Sequence, residues 1–262
     1  MNISHEVPLC LLKRSLLFND YQYVLPHLID KYEQYKEHML DYRKQENSFI
    51  ICDNGLFEGV THTTEDLIAK INLIKPDIFI VPDNWNDKDT TYKNAKYWMN
   101  TLKSQLPPET NLMVVMQGML SFMELYQECE DLGYKHFAFN HSSAAYQKMF
   151  FHPNKLINQA LGRQHTINRM KHLGSIKNNH YIHLLGASLP QEFSYYKDPY
   201  FDFIKSVDSS SPIINGILGN YYKEHGLFFK PSEKIETFFE DDLDGKIGCI
   251  TFNINEFKRF VK

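Results

Sequence analysis

Cysteine is scarce in this sequence, and acidic residues are missing from one long stretch of it. The four cysteines are far apart and form no Cys-x-x-Cys pair; they are Cys10, Cys52, Cys129 and Cys249. This spacing argues against a cysteine-built zinc site and predicts reduced, mostly buried thiols in a cytoplasmic protein. No apolar run approaches the roughly 18 residues of a membrane span, and no leader-like segment opens the chain, so we expect no membrane partner.

Residues 132–191 contain no Asp or Glu, although the whole chain has a net charge of −4. The same stretch holds seven Lys and Arg residues and seven of the 12 histidines. Because clustered Lys and Arg drive association with nucleic acid, we expect this segment to meet phosphates. The candidate nucleic-acid-binding residues are Lys155, Arg163, Arg169 and Lys171. The alternative interpretation is a solvated helix face that happens to lack acids.

The sequence also lacks internal repeats, low-complexity tracts and the Gly-rich fingerprint of dinucleotide-binding folds. Short apolar runs instead alternate with helix-like segments. The runs predict eight strands, within residues 5–12, 21–25, 48–52, 77–81, 111–117, 135–140, 180–186 and 203–207. This alternation predicts an α/β fold, a (β/α)8 TIM-type barrel, with an open doubly wound sheet as the alternative.

We expect residues 1–212 to form the barrel core and residues 213–262 to form a C-terminal appendage packed on it. Within the appendage, residues 246–254 read as a further strand.

Three predicted strands end by delivering a carboxylate to a turn, at Asp53, Asp83 and Asp208. Gln117 and Gly186 follow two other strands in the same way. Asp is common in turns, so each position alone has an ordinary structural explanation. In a parallel barrel, however, active sites lie at the carboxyl ends of the strands. The pattern therefore predicts a catalytic rim.

Five segments at these strand ends resemble the tRNA-guanine transglycosylase family. "CDNGLFEG" (52–59) is similar to its Asp-Ser-Gly-Gly-Phe-Gln segment, "VPD" (81–83) to the next strand end, and "VVMQG" (114–118) to its Val-Gln-Gly. "HLLGAS" (183–188) and "SVDSSSP" (206–212) resemble its Leu-Met-Gly-Val strand and its nucleophile strand. The zinc module of the tRNA enzymes is missing, because Cys249 is the only cysteine after Asp208. The chain therefore looks most like the short phage-type enzymes that modify DNA.

The resemblance implies a role for each matched residue. Asp208 would be the nucleophile that forms a covalent glycosyl-enzyme, and Asp53 would shuttle the proton between the leaving and the incoming base. The remaining candidates would bind the purine; they are Asp83, Gln117, Phe57, Gly186 and His141. Asp83 would accept from the guanine N1–H and 2-amino group, Gln117 would donate to O6, and Phe57 would stack on the ring.

The function that the resemblance implies is exchange of guanine in DNA for a 7-deazaguanine base such as preQ0 or preQ1. The partners would be nucleic acid and the free base, in the host cytoplasm if a phage encodes the protein, with no cofactor or metal; a homodimer is left open. A tRNA-guanine transglycosylase is the first alternative. The second is a nucleic-acid-binding barrel that performs no reaction.

Overall fold

A computed structural model describes residues 1–118, 121–223 and 227–262 of the chain. In this part of the chain the strands are β1 (Asn2–Ser4), β2 (Gln22–Val24), β3 (Ile50–Cys52), β4 (Ile78–Ile80), β5 (Asn111–Val115), β6 (His136–Asn140), β7 (Tyr181–Leu185) and β8 (Ile204–Asp208). The apolar side chains of β2, β3 and β4 are buried throughout, as expected for strands covered on both faces.

Helices alternate with these strands. They are α1 (Leu12–Phe18), α2 (Pro26–Lys31), α3 (Glu33–Arg43), α4 (Thr64–Ile74), α5 (Lys88–Tyr97), α6 (Phe122–Asp131), α7 (Ala144–Met149), α8 (Lys155–His172), α9 (Glu192–Tyr195), α10 (Ser211–Ile217) and α11 (Ile247–Val261). Side-chain caps fix several starts: Thr63 accepts from the Asp66 amide before α4, and Asp87 accepts from the Thr90 amide before α5. None of the described helices is long and apolar enough to span a bilayer.

The eight strands form one sheet in the order β1-β8-β7-β6-β5-β4-β3-β2. The recorded strand pairs are parallel, and β1 pairs with β8 so that Ser4 lies opposite Asp208. This order, with helical connections between the strands, is that of a (β/α)8 TIM-type barrel. The predicted α/β fold and its eight parallel strands are confirmed.

Two compact units make up the chain: residues 1–20 together with 139–262, and residues 21–138. We call them the nucleophile unit and the base unit, after the candidate residues that each contains. In the nucleophile unit, α11 packs against α10, α9 and β1. Asp20 also makes hydrogen bonds to both backbone polar groups of Ile3. Its amide donates to the Ile3 carbonyl (2.8 Å), and its Oδ2 accepts from the Ile3 amide (2.9 Å).

Two predicted strands are wrong. Residues 5–12 contain no strand: β1 ends at Ser4, and a short 3-10 helix at Leu9–Leu11 leads into α1. Pro8 stands immediately before this turn and has no amide hydrogen to give to a sheet.

The four cysteines are free, and three of them are buried, as the sequence predicts.

Residues 246–254 were expected to form a strand, but Lys246 ends a 3-10 turn and residues 247–254 form the first half of α11. The buried side chains of α11 recur every three to four residues, which is the repeat of a helix face. They are Cys249, Ile250, Asn253, Ile254, Phe257 and Val261. Over nine residues, an apolar run of this kind fits a strand and a helix equally well.

Candidate functional site

In the base unit, Asp83 is held between two side-chain amides. Its Oδ1 accepts a hydrogen bond from Asn54 Nδ2 (2.7 Å), and its Oδ2 accepts one from Gln117 Nε2 (2.6 Å). These residues follow β4, β3 and β5, three neighbouring strands of the sheet. Asp83 and Gln117, both predicted from the sequence, are therefore in direct contact at the carboxyl ends of these strands.

The orientation of the Gln117 amide is fixed by its partners. Its Oε1 accepts from the Asn86 amide (3.1 Å), so the group facing the Asp83 carboxylate is the NH2. An amide nitrogen carries two hydrogens, and one of them is used by Asp83. The second can be offered to an acceptor on a ligand, which is the role that the sequence suggests for Gln117.

Asn54 connects the predicted proton shuttle to this cluster. Its side chain donates to the Val81 carbonyl (3.1 Å) and to Asp83, and accepts from the Leu56 amide (2.8 Å). The neighbouring Asp53 is buried, and its Oδ1 accepts from the Asn54 amide (2.7 Å). Asn54 was not among the candidate site residues. The structure shows that it fixes the loop after β3 to the loop after β4.

The predicted stacking residue Phe57 lies on the turn that follows Asn54, and 47% of its surface is exposed. The turn is closed by hydrogen bonds from Gly59 to the Leu56 carbonyl and from Val60 to the Gly55 carbonyl. Gly55 has a φ of +80°, a conformation that favours glycine. The base unit therefore presents an exposed aromatic ring within a few residues of Asp53.

Burial raises the pKa of Asp83 above its ordinary value, and the hydrogen bonds from Gln117 and Asn54 only partly oppose this shift. A carboxylate that is short of solvent gains more from further donors than an exposed one does. Asp83 is therefore suited to a ligand edge that offers N–H groups.

In the nucleophile unit, Asp208 is the last residue of β8, and its side chain is 7% exposed. Its Oδ1 accepts from the Gly186 amide (2.8 Å) and contacts His183 Nε2 (3.1 Å). Oδ2 has no hydrogen-bond partner among the residues that the structure describes. One oxygen is thus anchored, and the other is available for chemistry.

His183 belongs to a buried chain of hydrogen bonds that leads to Asp208. Its Nδ1 lies 2.8 Å from Ser206 Oγ, which accepts from the Tyr181 hydroxyl (2.9 Å). Because a carboxylate only accepts hydrogen bonds, Nε2 must carry a proton toward Asp208. In a neutral ring, Nδ1 then accepts from Ser206. His183 was not among the candidate site residues.

Gly186 has a close neighbour that explains why glycine is needed there. Its φ is +70°, and a Cβ at this position would lie 2.8 Å from Nδ1 of His141. The structure therefore brings together Asp208, Gly186 and His141. Burial lowers the pKa of His141 well below its ordinary value, and the charges of Lys230, Arg163 and Lys155 act in the same direction. His141 is accordingly a neutral imidazole near pH 7.

Arg163 does not lie on the surface, so its expected contact with nucleic acid is corrected. The side chain is fully buried, and its guanidinium binds Glu192 through Nε (2.8 Å) and Nη2 (2.7 Å). Its Nη1 donates to the carbonyls of Phe139 (3.2 Å) and Gly186 (3.0 Å). Arg163 therefore fastens the ends of β6 and β7, which carry His141 and Gly186.

The other three candidate cations do not form one patch. Lys155 and Lys171 are 16 positions apart on α8, which separates them by about 24 Å along the helix axis. Lys155 is exposed at the start of α8, which follows the carboxyl end of β6. Lys171 lies near the amino ends of β7 and β8, where it binds Asn178 (2.6 Å) and covers the Phe203 ring. Arg169, two residues before Lys171, is exposed at that same end of α8.

Two further residues of the nucleophile unit, Lys230 and Asn140, bear on this site. Lys230 interacts electrostatically with both Asp208 and His141, so it lies near the candidate nucleophile. Asn140, the last residue of β6, is buried, and neither atom of its side-chain amide has a partner among the residues that the structure describes. A buried amide without partners is costly, and it marks a place where a ligand or water can bind. Nothing in the local sequence distinguishes Lys230 from an ordinary turn residue, whereas Asn140 ends a predicted strand, as the other rim candidates do.

Within residues 1–118, 121–223 and 227–262, no three His, Cys, Asp or Glu side chains are grouped to hold a metal ion. A scan against protein-family models gives no match, and a search of curated proteins finds no significantly similar sequence. The resemblance to guanine transglycosylases therefore depends on the strand-end motifs alone.

Proposed function

We propose that the protein is a transglycosylase that exchanges guanine in DNA for a 7-deazaguanine base through a covalent bond to Asp208. The observation that carries the proposal is the asymmetric environment of this carboxylate. Two N–H groups fix Oδ1, and Oδ2 has no partner among the described residues. A nucleophile in glycosyl transfer needs this combination of fixed position and open attacking atom.

The cluster around Asp83 supports guanine as the base. Guanine presents two adjacent donors, N1–H and the 2-amino group, next to the acceptor O6. Each oxygen of Asp83 has a second lone pair beyond the one used by Asn54 or Gln117, so the carboxylate can accept both guanine donors. The remaining Gln117 hydrogen can then reach O6. Adenine has an acceptor at N1, a donor at position 6 and no amino group at position 2, so this arrangement would reject it.

In the first half-reaction, Asp208 Oδ2 attacks C1′ of the target nucleotide. The bond from C1′ to N9 of guanine breaks, and a bond from C1′ to Oδ2 forms. The transition state has oxocarbenium character, which a nearby carboxylate stabilises. Asp53 in its protonated form gives its proton to the leaving guanine, so that a neutral base departs.

In the second half-reaction, the incoming 7-deazaguanine loses its N9 proton to Asp53. N9 then attacks C1′, and the bond between C1′ and Oδ2 breaks, which regenerates the Asp208 carboxylate. No net proton, electron or cofactor is consumed, because Asp53 returns to its protonated form. The resemblance assigns stacking on the base to Phe57 and a further base-binding role to His141.

Incorporation of radiolabelled guanine tests the proposal. Purified protein is given duplex DNA, single-stranded DNA and bulk tRNA in parallel, and acid-precipitable label is counted. Label in DNA supports the proposal. Label in tRNA alone would replace it with a tRNA-guanine transglycosylase, and no label in any polymer, with binding intact, would favour a non-catalytic nucleic-acid-binding barrel.

A further inference from the structure

Four exposed phenylalanines lie on two segments of the nucleophile unit that follow β6 and β8. We call them the aromatic surface; they are Phe150, Phe151, Phe228 and Phe229. Phe151 is 99% exposed, and the two rings at 228 and 229 are each exposed by about half. Exposing this much aromatic area to water is unfavourable, and in a soluble fold it marks a place where a partner binds.

A hydrogen bond holds the two segments together. Asn154 Nδ2 donates to the Phe228 carbonyl (2.8 Å), while Asn154 Oδ1 caps the start of α8 by accepting from the Leu156 amide (2.9 Å). Phe151 is only three residues before Asn154, so its Cα lies within about 10 Å of the Asn154 Cα. The Phe150 ring packs edge-on against His165 of α8. The aromatic surface is thus built on the amino end of a long helix.

Two lysines flank this surface on the side of the candidate nucleophile, and one acid, Glu6, acts on the second of them, Lys230. Lys155 follows Asn154 directly, and Lys230 follows Phe229. Lys155 and Lys230 both act on His141, and Lys230 also acts on Asp208. Residues 132–191 contribute no acid, and Glu233 is the only acid within residues 227–234. The combination of flat rings and lysines fits a polyanion with aromatic faces.

We propose that the aromatic surface binds unpaired nucleotides next to the target, with their bases stacked on Phe151 and Phe228 and their phosphates beside Lys155 and Lys230. This inference rests on the proposed function, because it supplies the strand from which the target base is taken. Base–aromatic stacking contributes about 1–3 kcal/mol for each base. In a duplex the base faces are covered by their neighbours, so only a locally single-stranded substrate can use these rings. A protein partner fits less well, because lysine is depleted from protein–protein interfaces.

Fluorescence anisotropy with a labelled oligonucleotide tests the inference. The strand is offered single-stranded and as a duplex, together with an RNA strand of the same sequence. The Phe151→Ala/Phe228→Ala protein keeps the Phe228 carbonyl and hence its bond to Asn154. We expect this variant to bind the single strand at least tenfold more weakly, with an unchanged salt dependence. Lys155→Gln should instead reduce the slope of log K against log salt by about 0.7.

Tyr200→Ala is the matched control, because Tyr200 is 44% exposed and precedes β8 at its amino end. We expect this variant to bind the single strand as the wild type does. Unchanged affinity of the double phenylalanine variant, or an equal loss in Tyr200→Ala, would overturn the inference. Guanine incorporation is measured on the same proteins. If the double phenylalanine variant binds and exchanges guanine as the wild type does, the role of the aromatic surface is refuted and the proposed reaction stands. If that variant binds more weakly but no protein, wild type included, exchanges guanine, the proposed reaction is refuted and the binding role of the aromatic surface stands.

Discussion

His183 Nε2 lies 3.1 Å from Asp208 Oδ1, and both side chains are buried, His183 in the middle of β7 and Asp208 at the end of the neighbouring strand β8. The contact joins residues that are 25 positions apart in the sequence. It fixes one oxygen of the candidate nucleophile and leaves the other available. His183 is itself oriented by Ser206 and Tyr181, so the position of the carboxylate depends on a chain of four side chains.

Replacing His183 by Phe should slow base exchange by about 10- to 100-fold. A hydrogen bond to a charged group contributes about 1.5–3 kcal/mol, and 1.4 kcal/mol corresponds to tenfold in rate. The effect should appear in kcat, because His183 positions Asp208 and does not touch the substrate. His183→Gln, which can still donate to Oδ1, should recover part of the rate. Equal losses in the two variants, or a change confined to KM, would argue against a positioning role.

Asp208→Asn should abolish exchange, by about a thousandfold or more, because an amide cannot form the glycosyl ester. Wild-type protein mixed with substrate DNA should form a covalent complex that survives denaturing electrophoresis, and the variant should not. Circular dichroism and denaturant unfolding report whether the fold is retained. Asp202→Asn, an exposed carboxylate before β8, is the control and should behave as wild type. Exchange retained by the Asp208 variant would refute the assignment.

Asp83→Asn should weaken binding of free guanine by about 10- to 100-fold, since the carboxylate accepts from the guanine donors. Hypoxanthine lacks the 2-amino group and should bind the wild type more weakly than guanine does. In the variant this preference should shrink, because an amide has only one acceptor oxygen. Calorimetric titration of both bases into both proteins measures the difference. A preference of unchanged size would place recognition of the 2-amino group elsewhere.

Arg163→Ala should lower the free energy of unfolding by about 3–5 kcal/mol, because it leaves Glu192 buried without its partner. Arg169→Ala, on the exposed side of the same helix, should change it by less than about 0.5 kcal/mol. Denaturant unfolding of the two variants provides the comparison. Equal small effects would mean that the buried pair contributes little to the fold.

His5 should make the fold less stable in acid. Burial lowers the pKa of His5 to about 4, from 6.5 in the unfolded chain. Between these pH values the unfolded chain binds a proton that the folded protein does not, so the free energy of unfolding falls as the pH decreases through this window. The contribution is about 3 kcal/mol. Unfolding measured at pH 7 and pH 4 should show a smaller decrease in His5→Gln than in wild type, and identical decreases would contradict the assignment.

The sequence predicted most of the strands correctly, for a physical reason. Parallel strands that are covered on both faces need continuous short apolar runs, and turn-forming residues must follow them. The runs that end before Asp53 and Asp83, and at Asp208, therefore showed both the strands and the positions of three candidate side chains. Residues 5–12 and 246–254 were misread because a short apolar run suits either a strand or a helix.

The spatial distribution of charged side chains was the feature that the sequence predicted least well. The absence of acids over residues 132–191 suggested a single basic patch, yet Arg163 pairs with Glu192, the first acid beyond that stretch. A sequence does not state which distant residue will neutralise a charge. The length of α8 also separates Lys155 from Lys171. Two cations of the same acid-free segment therefore lie at opposite ends of one helix.

By itself, the sequence determined the α/β alternation and the carboxylates at the strand ends, because both follow from local burial and turn chemistry. Only the tertiary structure decided which atoms meet: Gln117 with Asp83, and His183 and Gly186 with Oδ1 of Asp208. These contacts join residues 22 to 34 positions apart. They form because parallel strands far apart in the chain end at the same edge of one sheet.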